Sequence, residues 1–179
     1  RKESDDTDNL RGLGNVDGAV TANIGFEYEA GFLESYVNVA KHLGGTDGTQ
    51  VEVGAEIMIP LAVLSGDFSY ESIGDDEDEG PEGPAFTLEV TAEWVDEKYM
   101  QNHFGVTALQ STRSGYDQYN AGSGLKSVGT ELGFEYPITQ NWSITTVVEY
   151  SQLMGNAADS PIVKDKSRVL GGVFLEYEF

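Results

Sequence analysis

The residues able to carry chemistry are few and scattered. No cysteine occurs among the 179 residues, which removes thiol nucleophiles, zinc-thiolate sites and disulfide staples. Two histidines, His42 and His103, could serve as general bases, yet neither lies in a motif that supplies a nucleophile or an orienting acid. Gly122-Ser123-Gly124 lacks the strand-to-helix context of a nucleophile elbow and reads as loop. The densest run of ligating oxygens is Asp75-Asp76-Glu77-Asp78-Glu79-Gly80. Carboxylates suit Ca²⁺ and Mg²⁺, and Asp75, Glu77 and Glu79 with Gly80 in sixth place imitate a calcium loop. The twelfth position is Phe86 rather than a bidentate glutamate, so a solvated acidic loop with Pro81 and Pro84 is expected, and no metal or cofactor site. Asp159-Ser160-Pro161 is the last candidate. Asp159 or Ser160 could touch a partner or lipopolysaccharide, or both side chains could bond back to the backbone ahead of Pro161 and fold the loop down.

The charge balance limits the partners. With 31 Asp and Glu against 10 Lys and Arg, the chain carries a formal −21 and a pI near 4.1, which argues against nucleic acid, whose affinity comes from cations neutralising phosphates. Mean hydropathy is −0.32, and no apolar run approaches the roughly 18–20 residues of a spanning helix. A membrane barrel would look the same by this measure, because its strands alternate apolar and polar residues. The chain begins Arg1-Lys2-Glu3-Ser4 without a Met or an apolar signal segment, and upstream sequence is expected.

The elements that must position these residues are strands. Period-2 alternation recurs between Gly, Asp, Asn and Pro clusters, giving nine expected strands at 19–29, 32–41, 49–59, 61–71, 85–95, 102–110, 126–136, 142–151 and 167–179. In the first, Val20, Ala22, Ile24, Phe26 and Tyr28 share one face. In the fifth, Phe86, Leu88, Val90, Ala92 and Trp94 do so, and the fourth is the weakest, resting on Leu64, Phe68 and Tyr70. The opposite faces repeatedly carry glutamate, among them Glu27, Glu52, Glu56, Glu89, Glu93, Glu131, Glu135, Glu149 and Glu176. The connections then alternate short (30–31, Pro60, 96–101, 137–141) and long (42–48, 72–84, 111–125, 152–166).

That alternation predicts an all-β, antiparallel, up-and-down transmembrane barrel in the bacterial outer membrane, with tight periplasmic turns and longer extracellular loops. The whole of 1–179 forms one barrel domain, with 1–18 and 72–84 as acidic extracellular segments. Tyr28, Trp94, Phe104, Tyr136, Trp142 and Tyr177 lie beside short turns and Tyr70, Phe86 and Tyr150 beside long loops, as interfacial aromatics do. On this layout His42 and His103 occupy opposite ends and cannot share a site. Tyr177 and the terminal Phe179 resemble an insertion signal read by the barrel-insertion machinery. An odd count of nine strands leaves a seam that lipid would not tolerate, so an odd number of further strands is expected upstream.

The stretch Asn156-Ala157-Ala158-Asp159-Ser160-Pro161-Ile162-Val163, with the closing Leu175-Glu176-Tyr177-Glu178-Phe179, resembles the MipA/OmpV family of outer-membrane proteins. His103-Phe104-Gly105-Val106-Thr107, Arg113-Ser114-Gly115, Ala121-Gly122-Ser123-Gly124-Leu125, Asn141-Trp142 and Tyr150-Ser151-Gln152-Leu153-Met154 are also similar. The resemblance is strong over 100–179 and looser before. It implies a barrel of about twelve strands and a scaffold rather than an enzyme, one that links a murein synthase to a lytic transglycosylase in contact with outer-membrane lipid and lipopolysaccharide. The inward glutamates allow a small cation-preferring pore as an alternative. A surface adhesin and, last, a histidine-dependent hydrolase complete the set.

Overall fold

A computed structural model of the chain describes residues 10–45, 47–66 and 83–177. Seven strands form one antiparallel sheet in sequential order: β1 (Val20–Ala30), β2 (Leu33–Leu43), β3 (Gly48–Pro60), β4 (Ala85–Val95), β5 (Gly124–Pro137), β6 (Trp142–Leu153) and β7 (Ser167–Tyr177). The all-antiparallel meander matches the expected class, but seven strands replace nine. Among the described residues the sheet is open, with β1 and β7 at its edges.

Two expected strands have other structures. After Pro60 the chain turns into α1 (Leu61–Ser65), closed by Gly66 in the left-handed conformation at φ 80°, and the rest of 61–71 lies outside the described residues. The second, 102–110, is divided between α2 (Glu97–Phe104) and α3 (Ala108–Ser114), leaving Val106 as a single bridge to Tyr119. Helix-start chemistry explains this. The Asp96 side chain accepts from the Tyr99 amide at 2.9 Å, and Thr107 with Gln110 forms a complete capping box. These satisfied amides outweigh the apparent alternation of Phe104, Val106 and Ala108.

Removing two strands re-sorts the ends of the sheet. One end carries the tight turns 31–32 and 138–141, and also Pro60 and Ala85, which are register partners, so the connection 61–84 leaves and returns there. The other end carries the β2–β3 loop, then α2 and α3, then α4 (Gly155–Ala158) between β6 and β7. Short and long connections therefore do not alternate strictly, and Trp94 and Phe104 flank the helical end instead of a tight turn.

The two faces of the sheet differ in kind. One is apolar and open: Phe26 is 70% exposed, Leu132 57% and Val173 66%, and the register carries this face across every strand, as in Ile57↔Leu88, Leu88↔Leu132 and Leu132↔Val148. On the other face, side chains from β2 through β7 line a single cavity of about 520 Å³. A flat face could not enclose a cavity across that many strands, so the sheet is curled with its polar side inward.

Packed core is concentrated at the helical end. Val95, Met100, Ala121 and Ala157 form one buried cluster, and Leu13, Val106 and Ile162 form a second. The segment before β1 joins this cap, with Gln110 Nε2 donating to the Leu13 carbonyl at 2.6 Å. From the β2–β3 loop, Asp47 binds Lys98 at 2.7 Å. From the β6–β7 loop, the Ser160 hydroxyl donates to the Phe104 carbonyl. Helix α2 is thus tied on both sides and bridges the end of the sheet.

Candidate functional site

The inward face is organised by register. Glu29 pairs with Glu34, Glu34 with Glu56, Glu56 with Glu89, Glu89 with Glu131 and Glu131 with Glu149, so six glutamates stand in one transverse row over β1 to β6. On β7 the row ends at Leu170. Alternation places each glutamate on the polar face, while only the turn geometry aligns them strand to strand. Like charges directly opposite one another destabilise a pair of strands, so this row is not explained by sheet stability.

Two residues nearer the cap lies a softer row. The Tyr36 hydroxyl crosses β3 to donate to Glu89 Oε1 at 2.6 Å. It can do so because Gly54 sits beneath it, where a Cβ would fall on the Tyr36 ring. Ser151 and Arg168 are partners in the same row. A further two residues on, Glu52 is opposite Glu93 and Glu93 opposite Ser127. Glu93 is 8% exposed. Its Oε2 takes a salt bridge from Lys126 and a hydrogen bond from the Ser127 hydroxyl, leaving Oε1 without a partner among the described residues. The register shift between Glu93 and Trp94 lies beside this pair and re-aims Lys126 toward it.

Above this wall, under the cap, the histidines meet. The expectation that His42 and His103 occupy opposite ends is wrong, because β4 starts at the tight-turn end beside Pro60, where the expected fourth strand would have reversed it, and so delivers 103 to the helical end with 42. Tyr99 lies between them, its ring centroid 5.4 Å from His42 and 4.1 Å from His103, stacked on the latter. Lys126 Nζ also stands 5.6 Å over the Tyr99 ring. Burial, and secondarily the Glu93 carboxylate, push the Tyr99 phenol above its ordinary pKa. His103 Nδ1 donates to the Tyr99 carbonyl at 2.9 Å, and His42 Nδ1 faces Thr21 Oγ1 at 3.3 Å. In these contacts the two histidines and Tyr99 pack the cap as a ring cluster.

Among the loop candidates, Ser160 is buried with its hydroxyl given to Phe104, whereas Asp159 is open to solvent and faces Lys166 at 3.6 Å. Pro161 is half-buried beside them. Tyr177 ends β7 against Trp142, ring centroids 4.9 Å apart; Phe179 and the run 75–79 lie outside the described residues. Among the described residues no group of three or more His, Asp or Glu side chains is arranged to hold a metal ion. Sequence reasoning missed Tyr36, Lys126 and Arg168. Their signal was available: Tyr36 and Arg168 are the bulky and basic exceptions on glutamate-bearing faces.

The comparisons with known proteins agree on one relationship. The family profile described as "MltA-interacting protein MipA" matches residues 1–179. The chain is 32% identical over 97 residues to the "MltA-interacting protein" of Escherichia coli (strain K12), and equally to that of Shigella flexneri. The match takes in 54% of this chain and only 39% of the length of each of those relatives.

Proposed function

The chain belongs to the MltA-interacting protein MipA family, and from that premise we propose that it is a non-enzymatic outer-membrane barrel that holds a lytic transglycosylase, and with it a murein synthase, at the inner surface of that membrane. One observation carries the membrane half of this reading. The apolar face stays open on all seven strands, with Val20, Phe26, Leu132, Val169 and Val173 each more than half exposed. A water-facing sheet would not keep so large a patch, whereas an outward band of this kind is what hydrocarbon requires.

Tight turns belong to the periplasmic side of such barrels. Pro60 and Ala85, which flank the acidic segment expected outside, share that end, so on this orientation the chain enters and leaves that segment, 72–82 of which lies outside the described residues, on the periplasmic side, where the murein enzymes work. The cap, residues 10–18 and Asp159-Ser160-Pro161 then face outward, toward lipopolysaccharide. Tyr177, at the tight-turn end of β7 opposite Trp142, supports reading Tyr177 and Phe179 as a signal for the insertion machinery.

The test is a pull-down from Gram-negative envelopes with the detergent-solubilised full-length protein. A lytic transglycosylase is enriched over an unrelated barrel, and deletion of 67–82 reduces that enrichment. Equal recovery with the unrelated barrel refutes the scaffold. The row of six glutamates favours a second reading, a cation-preferring lumen; planar-bilayer recordings that show no conductance steps, or anion preference, exclude it.

A further inference from the structure

The inward cavity holds charge of both signs in fixed places. Six acidic and three basic side chains line it, which leaves it net negative without making it uniformly so. Two of the bases are already engaged: Lys126 with Glu93, and Lys166 with Asp159. Arg168 is different. It lines the cavity from β7 and has no salt bridge among the described residues. Its register partner is Ser151, two residues along β6 from Glu149, a rise of about 6.7 Å. A free guanidinium therefore stands one pleat from a row of carboxylates that has no cation opposite it.

The wall shows a second unmet group. Glu93, more than nine-tenths buried, also lines the cavity, and its Oε1 has no donor among the described residues, but that oxygen is sealed from solvent and out of a ligand's reach. Simple counter-ions would answer the carboxylates but leave Arg168 idle, and a simple anion would face the whole row of glutamates. A single ligand satisfies both when it carries a carboxylate with one ammonium beside it and a second ammonium a short aliphatic span away.

We propose that this cavity binds a basic amino acid or a short basic peptide, with its carboxylate on Arg168 and its ammonium groups on Glu131 and Glu149. Guanidinium and carboxylate match in a bidentate fork, which is the specific element of the site. The glutamates supply attraction without selectivity. Nothing in this assignment depends on the scaffold reading, and the pull-down and the titration below fail independently.

The experiment is calorimetric titration of the full chain in detergent micelles with L-lysine and with cadaverine, the same diamine without the carboxylate. L-lysine binds about ten-fold more tightly, the worth of one charge-assisted pair. Arg168→Gln, at an exposed position near the start of β7, brings lysine to the cadaverine affinity and changes cadaverine by less than about two-fold. Glu131→Gln combined with Glu149→Gln weakens both ligands about ten-fold or more. Equal binding of the two ligands by the unmodified protein, no binding of either, or a lysine preference that survives Arg168→Gln overturns the proposal. The comparison of lysine with cadaverine needs no variant, so a folding defect cannot shelter it.

Discussion

Replacing Gly48 with alanine tests whether α2 is truly seated on the end of the sheet. Gly48 is the first residue of β3, is buried, and has no positive φ, so an alanine backbone fits there without strain. The added methyl has no room. A Cβ at this position would stand 2.7 Å from Tyr99 Cβ, 2.9 Å from Tyr99 N and 3.0 Å from Tyr99 Cα, where ordinary contacts begin at 3.4 Å. These neighbours belong to the backbone and first side-chain atom of a helix held by Lys98 to Asp47 and by Phe104 to Ser160, so no flexible tip can swing aside. Two effects compete. Overpacking costs about 1–3 kcal/mol, and removing glycine from a strand returns about 0.5–1 kcal/mol through the unfolded chain. Because the contacted atoms are backbone, overpacking falls in the upper part of its range, about 2–3 kcal/mol, and the net is a loss of about 1–2.5 kcal/mol, a factor of about 5–70 in the opening equilibrium of the cap. Hydrogen exchange read by mass spectrometry on residues 97–104 in detergent shows this as faster exchange in α2 by that factor. Gly18→Ala is the control, since nothing lies within 4 Å of its Cβ position. Unchanged protection of α2 in a folded Gly48→Ala protein, or the same loosening in Gly18→Ala, refutes the seating of α2 on β3.

Two further outcomes follow from the charges. The Asp47 carboxyl is held below its ordinary 3.8 first by the hydrogen bond from Lys98, so its contribution to the cap is complete above 3.8 and is lost as pH falls through the lowered value; protection of α2 should drop in that acid window, and Asp47→Asn should abolish the drop. Lys98, raised above 10.5 by the same partner, gives the mirror result in base. Glu131→Gln removes a charge that faces Glu89 on one side and Glu149 on the other, and should raise resistance to urea by about 0.2–1 kcal/mol at low salt, with the gain shrinking at high salt. A loss of stability instead would mean that the row is neutralised by bound cations.

Alternation made the seven strands legible, because each buries neither face in protein and so keeps its two faces chemically distinct from end to end. The same rule misled at 102–110, where Phe104, Val106 and Ala108 alternate over a segment too short to distinguish a strand from two helix ends. The deciding residues were Asp96 and the Thr107–Gln110 pair, whose value lies in satisfying amides rather than in hydropathy. The misreading that reversed the chain direction was the earlier one: counting 61–71 as a strand turned 85–95 around and sent His103 to the wrong end, which is why its stacking with Tyr99 could not be foreseen. The glutamates were each assigned to the correct face from sequence. Their alignment was not, since register depends on turn lengths that periodicity does not encode.

The row of glutamates has a depth as well as a direction. Measured from the tight-turn end of its own strand, Glu29 is one residue in from Ala30, while Glu149 is seven residues in from Trp142. At about 3.3 Å per residue the difference is about 20 Å. The six carboxylates thus climb in steps along the inside of the curled sheet, Glu29 and Glu34 one residue in, Glu56 and Glu89 four, Glu131 six and Glu149 seven, and do not close into a collar at one level. A cation entering from the turns would pass from one carboxylate to its neighbour all the way up, and would reach the last step one pleat from Arg168, on the side of the cap.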